Sequence, residues 1–540
     1  MLLSSQTLHA LGLSLWTGVA STVLAIGLAA LLLGHAWGRP GWQRMVAGLP
    51  PMLATPHAAF AIGMVMLLAP SGWLARLLSP WATGWDAPPL WALTQDPWGL
   101  GLILVLVLKE VPFLLWVGAA QLQHPQVAGR LQQDLQVAVS MGYTPQGAWW
   151  RLGWPRLARR MTTPMLAVLA YGIGNVDMAW IAGPLTPPTL AVLCWEWLQD
   201  ADPALNALGA RMSWLLVAAL LLCVAVAAAL RPVWHRWRLR GVAPAAGTAV
   251  ASAPLLNVAG RRAQRRVAML RPDTLLSAVY LAVMLALLLA SLLGPWPFPD
   301  LLPSRWTVQS WHTVLDSANT LRTTLWLGLA SALASLVASV AWLEWVGPRN
   351  TRWQRSGERL LMLPLLLPPV LWVVWLHRLM LAWDLDTQGV GVWLAHTVAV
   401  LPYVWLALEG PYRAFDPRIL QVAHSLGHGR WTVRWRIQWP LLRGALAASF
   451  AVGFAVSVAQ YLPTLYVGAG RFNTVTTEAM ALASGGHATL AAAYAWLQWL
   501  LPVLVFGLAA WLGRARRFGP APYRAMPDMQ KWQRDGRPPP

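Results

Sequence analysis

Apolar residues run along this chain in blocks of about twenty, and the blocks recur from one end to the other. Eleven stand out, at roughly 12–35, 51–75, 98–120, 163–183, 212–230, 274–295, 321–345, 360–382, 389–410, 445–467 and 488–512. A helix of that length reaches across the ~30 Å hydrocarbon layer of a bilayer, with every backbone group satisfied inside the segment. The blocks therefore predict an all-α, polytopic membrane protein of about eleven transmembrane helices.

The polar positions between the blocks are patterned too. If the spans alternate in direction, the segments 36–48, 121–162, 231–272, 346–359, 411–444 and 513–540 share one side and carry thirty-three of the forty Lys and Arg. The opposite segments, 76–97, 184–211, 296–320, 383–388 and 468–487, hold ten of the twenty Asp and Glu and only four bases. Basic loops stay in the cytoplasm, so the N-terminus is expected outside and the C-terminus inside. The composition of the 540 residues, 57% hydrophobic and 11% charged, fits a lipid solvent. A net charge of +20 invites a nucleic-acid partner. Its placement in loops between spans argues for a lipid surface and against nucleic acid. Cys194 and Cys223 stand in no metal or redox spacing and read as ordinary thiols. The opening residues lack the basic stretch of a cleavable signal, so the first span is expected to be retained.

The chain is written twice. Leu15-Trp16-Thr17-Gly18-Val19-Ala20-Ser21 matches Leu325-Trp326-Leu327-Gly328-Leu329-Ala330-Ser331, and Leu49-Pro50-Pro51-Met52-Leu53 matches Leu367-Pro368-Pro369-Val370-Leu371. The longest pair, 136–157 against 421–442, is identical at ten of twenty-two positions without a gap and lies in polar loops, where shared apolar composition cannot produce the match. Two domains follow, 1–230 and 274–512, with five corresponding spans each and the span at 274–295 as an addition to the second. Copies running in the same sense imply a pseudo-two-fold axis along the membrane normal, with a solute path between them. The segment 231–273, rich in arginine around an Ala/Gly/Pro stretch, reads as a flexible cytoplasmic linker. The tail 513–540 reads as a disordered cytoplasmic end.

The repeated loop carries the mechanism. In each half it reads Gln-Val-Ala-x-Ser-(Met/Leu)-Gly and then Trp-Arg-x-x-Trp-Pro, with thirteen residues from Gly142 to Pro155 and from Gly427 to Pro440. The spacing predicts a short helix closed by a left-handed glycine, then a second helix that re-enters the membrane after a proline. At these residues the sequence resembles the permeases of binding-protein-dependent, type I ABC importers, whose hallmark is a cytoplasmic Glu-Ala-Ala-x-x-x-Gly loop with a downstream proline. The matching positions are Gln136, Val137, Ala138, Gly142 and Pro155 in the first half, and Gln421, Val422, Ala423, Gly427 and Pro440 in the second.

The resemblance implies a coupling helix that docks on an ABC ATPase, two ATPase copies for two loops, and a soluble solute-binding protein received by the external segments 184–211 and 468–487. Trp195 and Trp197 in the first of these also fit an interfacial belt. Glutamine replaces the family's frequent glutamate in both copies, so no ion pair to the ATPase is expected there. Arg151, Arg156, Arg434, Arg436 and Arg443 suit either an acidic ATPase surface or anionic lipid. Within the family the chain looks most like the fused two-half permeases of the thiamine and ferric-iron group, implying a thiamine-like or other small solute in a bacterial inner membrane. The acidic external loops would suit a cationic solute, although the inside bias of basic residues alone leaves them acidic.

The chain itself is expected to be no enzyme and to bind no cofactor directly. A phosphate-binding loop needs Gly-x-x-x-x-Gly-Lys-(Ser/Thr), and neither Lys109 nor Lys531, the only lysines, stands in that setting. ATP would be used by the partner. Polar residues inside spans mark candidate path positions: Asn175 and Gln460 at equivalent places, and the adjacent Lys109 and Glu110. Helix–helix hydrogen bonding competes for the first pair, and snorkelling to the interface for the second. His396 and Thr397 rank lower, and Asp177 has no acidic counterpart, Leu462 standing in its place. The rival reading is an ion-coupled secondary transporter with two repeated halves, which needs a relay of intramembrane carboxylates and no paired loops.

Overall fold

The computed structural model describes residues 4–514 except 40, 91, 241–271, 347–351 and 386. Among the described residues the chain is helical, without a strand beyond an isolated bridge between Leu293 and Trp306. Eight of these helices are long and apolar enough to cross a membrane, and shorter apolar helices at Thr162–Gly174, Thr274–Ala290 and Pro369–Ala382 complete the expected eleven. The protein is an all-α polytopic membrane chain.

Lipid gives apolar helices no reason to prefer one another to solvent, so close packing through small residues has to hold them. The helix Ser5–Ala36 packs on Leu100–Gln123 and Thr162–Gly174, and Ala318–Val346 packs likewise on Gly389–Arg413 and Trp439–Val458. The repeated glycine marks both crossings. A Cβ at Gly18 would lie 2.7 Å from Ile173, and one at Gly328 would lie 2.7 Å from Phe454.

From the repeated loop onward the halves keep register. Helices begin at Pro145, Asp177, Leu190 and Pro203, and again at Arg430, Leu462, Val475 and Ala488, each 285 residues later.

Four of the expected spans are interrupted. The second span is split into Trp42–Ala54 and His57–Leu68, its counterpart into Leu363–Leu366 and Pro369–Ala382. Prolines at 56 and 368 account for these breaks, since each disfavours helix at the residue before it and supplies no N–H. The fourth core span breaks between Thr162–Gly174 and Asp177–Ala182, and its counterpart between Trp439–Val458 and Leu462–Gly468. The breaks face each other across the halves: a Cβ at Gly174 would sit 2.8 Å from the Pro368 side chain.

Three expectations about segment placement change. The helix Pro272–Ala290 belongs to the second half by sequence, yet it fills a groove between His57–Leu68 of the first half and Ala488–Gly513. Tyr280 donates to the Leu108 carbonyl at 3.1 Å, and the buried Arg76 guanidinium binds the carbonyls of Trp296, Pro297 and Asp300 just beyond the helix. The helix Pro203–Arg240 continues past residue 230, so residues 231–240 of the expected linker are helical. Residues 241–271 of the linker and 515–540 of the tail lie outside the described residues.

The segments expected as external loops contain the helices Leu190–Gln199 and Val475–Ser484, which dip between the halves. The first packs on Pro369–Ala382 and the second on His57–Leu68. Trp195 is consequently 1% exposed, with its ring 6.1 Å and 5.7 Å from those of Tyr461 and Tyr466. It packs between the halves and is no belt residue.

Candidate functional site

Each repeated loop is built from a helix, a left-handed glycine and a π-turn. In the first half Pro125–Ser140 ends at Gly142, whose φ is +90°; in the second Pro417–Ser425 ends at Gly427, at +83°. The turn after each helix is closed by the same pair of bonds. Tyr143 N–H reaches the Ala138 carbonyl at 3.1 Å and Gly142 N–H reaches Val139 at 3.0 Å; His428 reaches Ala423 at 3.3 Å and Gly427 reaches His424 at 3.0 Å. A side chain at either glycine would meet nothing within 4 Å, so the backbone angle alone requires glycine there.

The π-turns Trp149–Gly153 and Arg434–Gln438 precede the prolines of the motif. Pro155 and Pro440 each lack an N–H and crowd the carbonyl four residues back, and widening the preceding turn relieves that conflict.

The small motif residues Ala138 and Ala423 face inward, at 2% and 4% exposure, while their neighbours face water. Val137 is 57% exposed and Val422 61%; Met141 is 64% exposed and its equivalent Leu426 72%. Gln136 and Gln421 are also exposed. Each loop thus presents apolar knobs ringed by polar groups, the surface type that marks a protein contact.

The loops are fastened to the membrane helices at equivalent positions by different chemistry. Trp149 donates to the Ala30 carbonyl at 3.0 Å, with its ring filling the space that a Cβ at Gly34 would take. The residue equivalent to Trp149 is Arg434, which pairs at 2.5 Å with Glu344, the position matching Gly34 in the Leu15 and Leu325 repeats. Tyr412 donates to the other oxygen of Glu344.

Several arginines offered as ATPase or lipid contacts have partners within the chain. Arg156 pairs with Asp134, Arg434 with Glu344, and Arg443 donates to the Arg514 carbonyl at 2.9 Å. Arg151 lies 5.1 Å from the Tyr143 ring, and Arg436 is exposed.

The path candidates separate. Asn175 is 3% exposed and bridges its own helix break, accepting from Ala179 N–H at 3.0 Å and donating to the Gly172 carbonyl at 3.1 Å. Gln460 sits at the equivalent break, half-buried, donating to the Val456 carbonyl at 3.1 Å. Lys109 and Glu110 are 5% and 7% exposed, so neither snorkels. The Lys109 ammonium binds the carbonyls of Met52 and Thr55, where the second span breaks. Glu110 faces His57 at 3.8 Å, and the His57 ring lies 4.7 Å from that of Tyr171. Tyr171 donates to Asp177 at 3.0 Å. His396 is enclosed by Ser457 and Thr464, both at 2.8 Å, and serves packing within the second half.

Sequence reasoning missed His57, Tyr171 and Tyr403, which join Glu110 and Asp177 only through the fold. At the end of the bundle away from the loops, a cavity of about 640 Å³ opens between the halves, lined by Arg76, Gln95, Trp180, Glu196, Trp296 and Ser484 among others. Partial burial raises the Glu196 carboxyl above its ordinary range.

Over 511 residues, covering 93% of this chain and 88% of the relative, the sequence is 35% identical to the inner membrane ABC transporter permease protein YnjC of Escherichia coli (strain K12). No family model matches the chain.

Proposed function

The chain belongs to the ABC transporter permeases, and from that membership we infer that it is a membrane-spanning subunit of an importer, driven by a separate ATPase. Its two halves, 1–230 and 274–512, each offer one coupling loop, and one ATPase copy docks on each. The observation that carries this reading is the matched pair of exposed apolar knobs, Val137 with Met141 and Val422 with Leu426, behind left-handed glycines in the same register.

Nucleotide-driven closure of the ATPase pair would press on both loops. Trp149 and Arg434 pass that motion to the helices Ser5–Ala36 and Ala318–Val346, which line up with each other in the repeat. The breaks at Asn175 and Gln460, and at the two proline positions, let the central segments tilt while the outer helices stay continuous. The basic loops support a cytoplasmic position for this face, with a solute-binding protein engaging the opposite end and a small solute as cargo.

The test is co-purification followed by reconstitution. The chain should retain its cognate ATPase through gel filtration, and solute uptake in vesicles should require ATP. Uptake driven by a proton or sodium gradient with the ATPase absent would overturn the reading.

A further inference from the structure

Halfway across the bundle, polar side chains of both halves meet and their charges do not cancel. Glu110 lies ten residues into Leu100–Gln123, about 15 Å along the helix axis and so near the middle of a ~30 Å layer. It is 7% exposed, and among the described residues no hydrogen-bond donor reaches it; the closest basic group is the His57 ring at 3.8 Å. Lys109, its neighbour in the chain, gives its hydrogen bonds to two backbone carbonyls and offsets part of the Glu110 charge from a distance, leaving Asp177 as a second, uncompensated carboxylate.

Asp177 stands half-buried at the break of the fourth core span and holds the Tyr171 hydroxyl at 3.0 Å. Both carboxylates act electrostatically on the hydroxyls of Tyr171 and Tyr403, and Asp177 also on that of Tyr461. Tyr403 and Tyr461 come from the second half. All three tyrosines are half-buried, as is Gln460 beside Tyr461.

A carboxylate buried in a membrane without a donor is costly unless a cation joins it. Tyrosine faces add attraction for the same sign of charge. We propose that Glu110 and Asp177, with Tyr171, Tyr403 and Tyr461, form a mid-membrane binding site for a cationic solute, a reading that rests on the permease function. The first half supplies the charge and the second supplies aromatic walls, so rocking of the halves would open and close the site.

The test measures the sign of the local potential in the full chain, assembled with its ATPase in vesicles. In a Cys194→Ala, Cys223→Ala background, Gln460→Cys serves as reporter, with Tyr403→Cys as an independent second one. Each is treated with methanethiosulfonate ethyltrimethylammonium and with methanethiosulfonate ethylsulfonate. The cationic reagent should react faster by about tenfold or more, after correction for the two reagents' rates with a free thiol in water. Glu110→Gln combined with Asp177→Asn should bring that ratio close to one.

A corrected ratio near or below one in the unneutralised protein overturns the site, as does a cation preference that survives neutralisation. Failure of both reporters to react with either reagent, nucleotide-free and with ATP, also overturns it. ATPase retention in the same samples reads the parent function separately. Absence of charge preference in the unneutralised protein with the ATPase still bound sinks the site alone, whereas a chain that never holds an ATPase sinks the permease reading.

Discussion

The Trp149 indole nitrogen donates to the carbonyl oxygen of Ala30 at 3.0 Å, fixing the first loop to the first long helix beneath its last turn. In the second half the corresponding contact is an ion pair, Arg434 with Glu344 at 2.5 Å. The duplication has kept the mechanical link and exchanged its chemistry. A tryptophan over a glycine and an arginine on a glutamate each occupy the same crossing of loop and helix.

The ion pair can be tested by reversal. Arg434→Glu and Glu344→Arg should each weaken coupled ATP hydrolysis, and the double variant should recover part of the loss. An interaction of roughly 1 kcal/mol is expected for contacting, half-buried groups. Losses that simply add would show that the pair transmits nothing, with Tyr412 monitored because it also leans on Glu344.

Gly142→Val and Gly427→Val should loosen both loops without disturbing the membrane bundle. Left-handed backbone costs an ordinary residue about 1–2 kcal/mol, and a β-branched one more, while the new side chains meet open space. ATPase retention on a column should fall and membrane insertion should not. Asparagine at the same positions, which tolerates this angle, should be milder. Equal retention for all variants would mean that the turns do not shape the contact.

Much of the fold was legible because lipid imposes one rule on every span: about twenty apolar residues in a row. The eleven runs and the register of the repeat follow from it. The breaks were less legible. Pro368-Pro369 stand at the break of their span, but the matching Pro50-Pro51 lie inside Trp42–Ala54 and the first-half break falls at Pro56, within a continuous apolar run. At Asn175 the break has no proline beside it and sits where Gly174 meets Pro368 of the other half, whereas at Gln460 Pro463 stands just inside the helix that follows. The helices Leu190–Gln199 and Val475–Ser484 have ten residues each, too short to register as spans, and their burial depends on the other half. The cluster of Glu110, His57, Tyr171, Asp177 and Tyr403 draws on four separate stretches of chain, so no local spacing announces it.

Lys109 reads as a structural clamp on the broken second span. Lys109→Met leaves the Thr55 carbonyl without its donor in a site 5% exposed, while the Met52 carbonyl keeps the Thr55 N–H at 3.3 Å. An unsatisfied buried group costs about 1–3 kcal/mol, so thermal unfolding in detergent should shift to lower temperature, less so for Lys109→Arg. An unchanged melting point for the methionine variant would remove the clamp.

The helix crossing at Gly18 offers a control on the same helix. Gly18→Leu drives a side chain into Ile173, where a Cβ alone would lie at 2.7 Å, while a Cβ at Gly27 meets nothing within 4 Å. Overpacking of this kind costs about 1–3 kcal/mol. The yield of monodisperse protein should drop for Gly18→Leu and hold for Gly27→Leu; similar yields would mean that the first helix does not pack as described.

Photocrosslinking from the loop tips reads out directly whether an ATPase subunit docks on each loop. With benzoylphenylalanine at Val137 or, separately, at Val422, illumination of the assembled transporter should attach the ATPase subunit at both positions, and the equivalent label at lipid-facing Leu221 should not. Capture at neither loop, from complexes in which the ATPase is otherwise bound, would contradict the account.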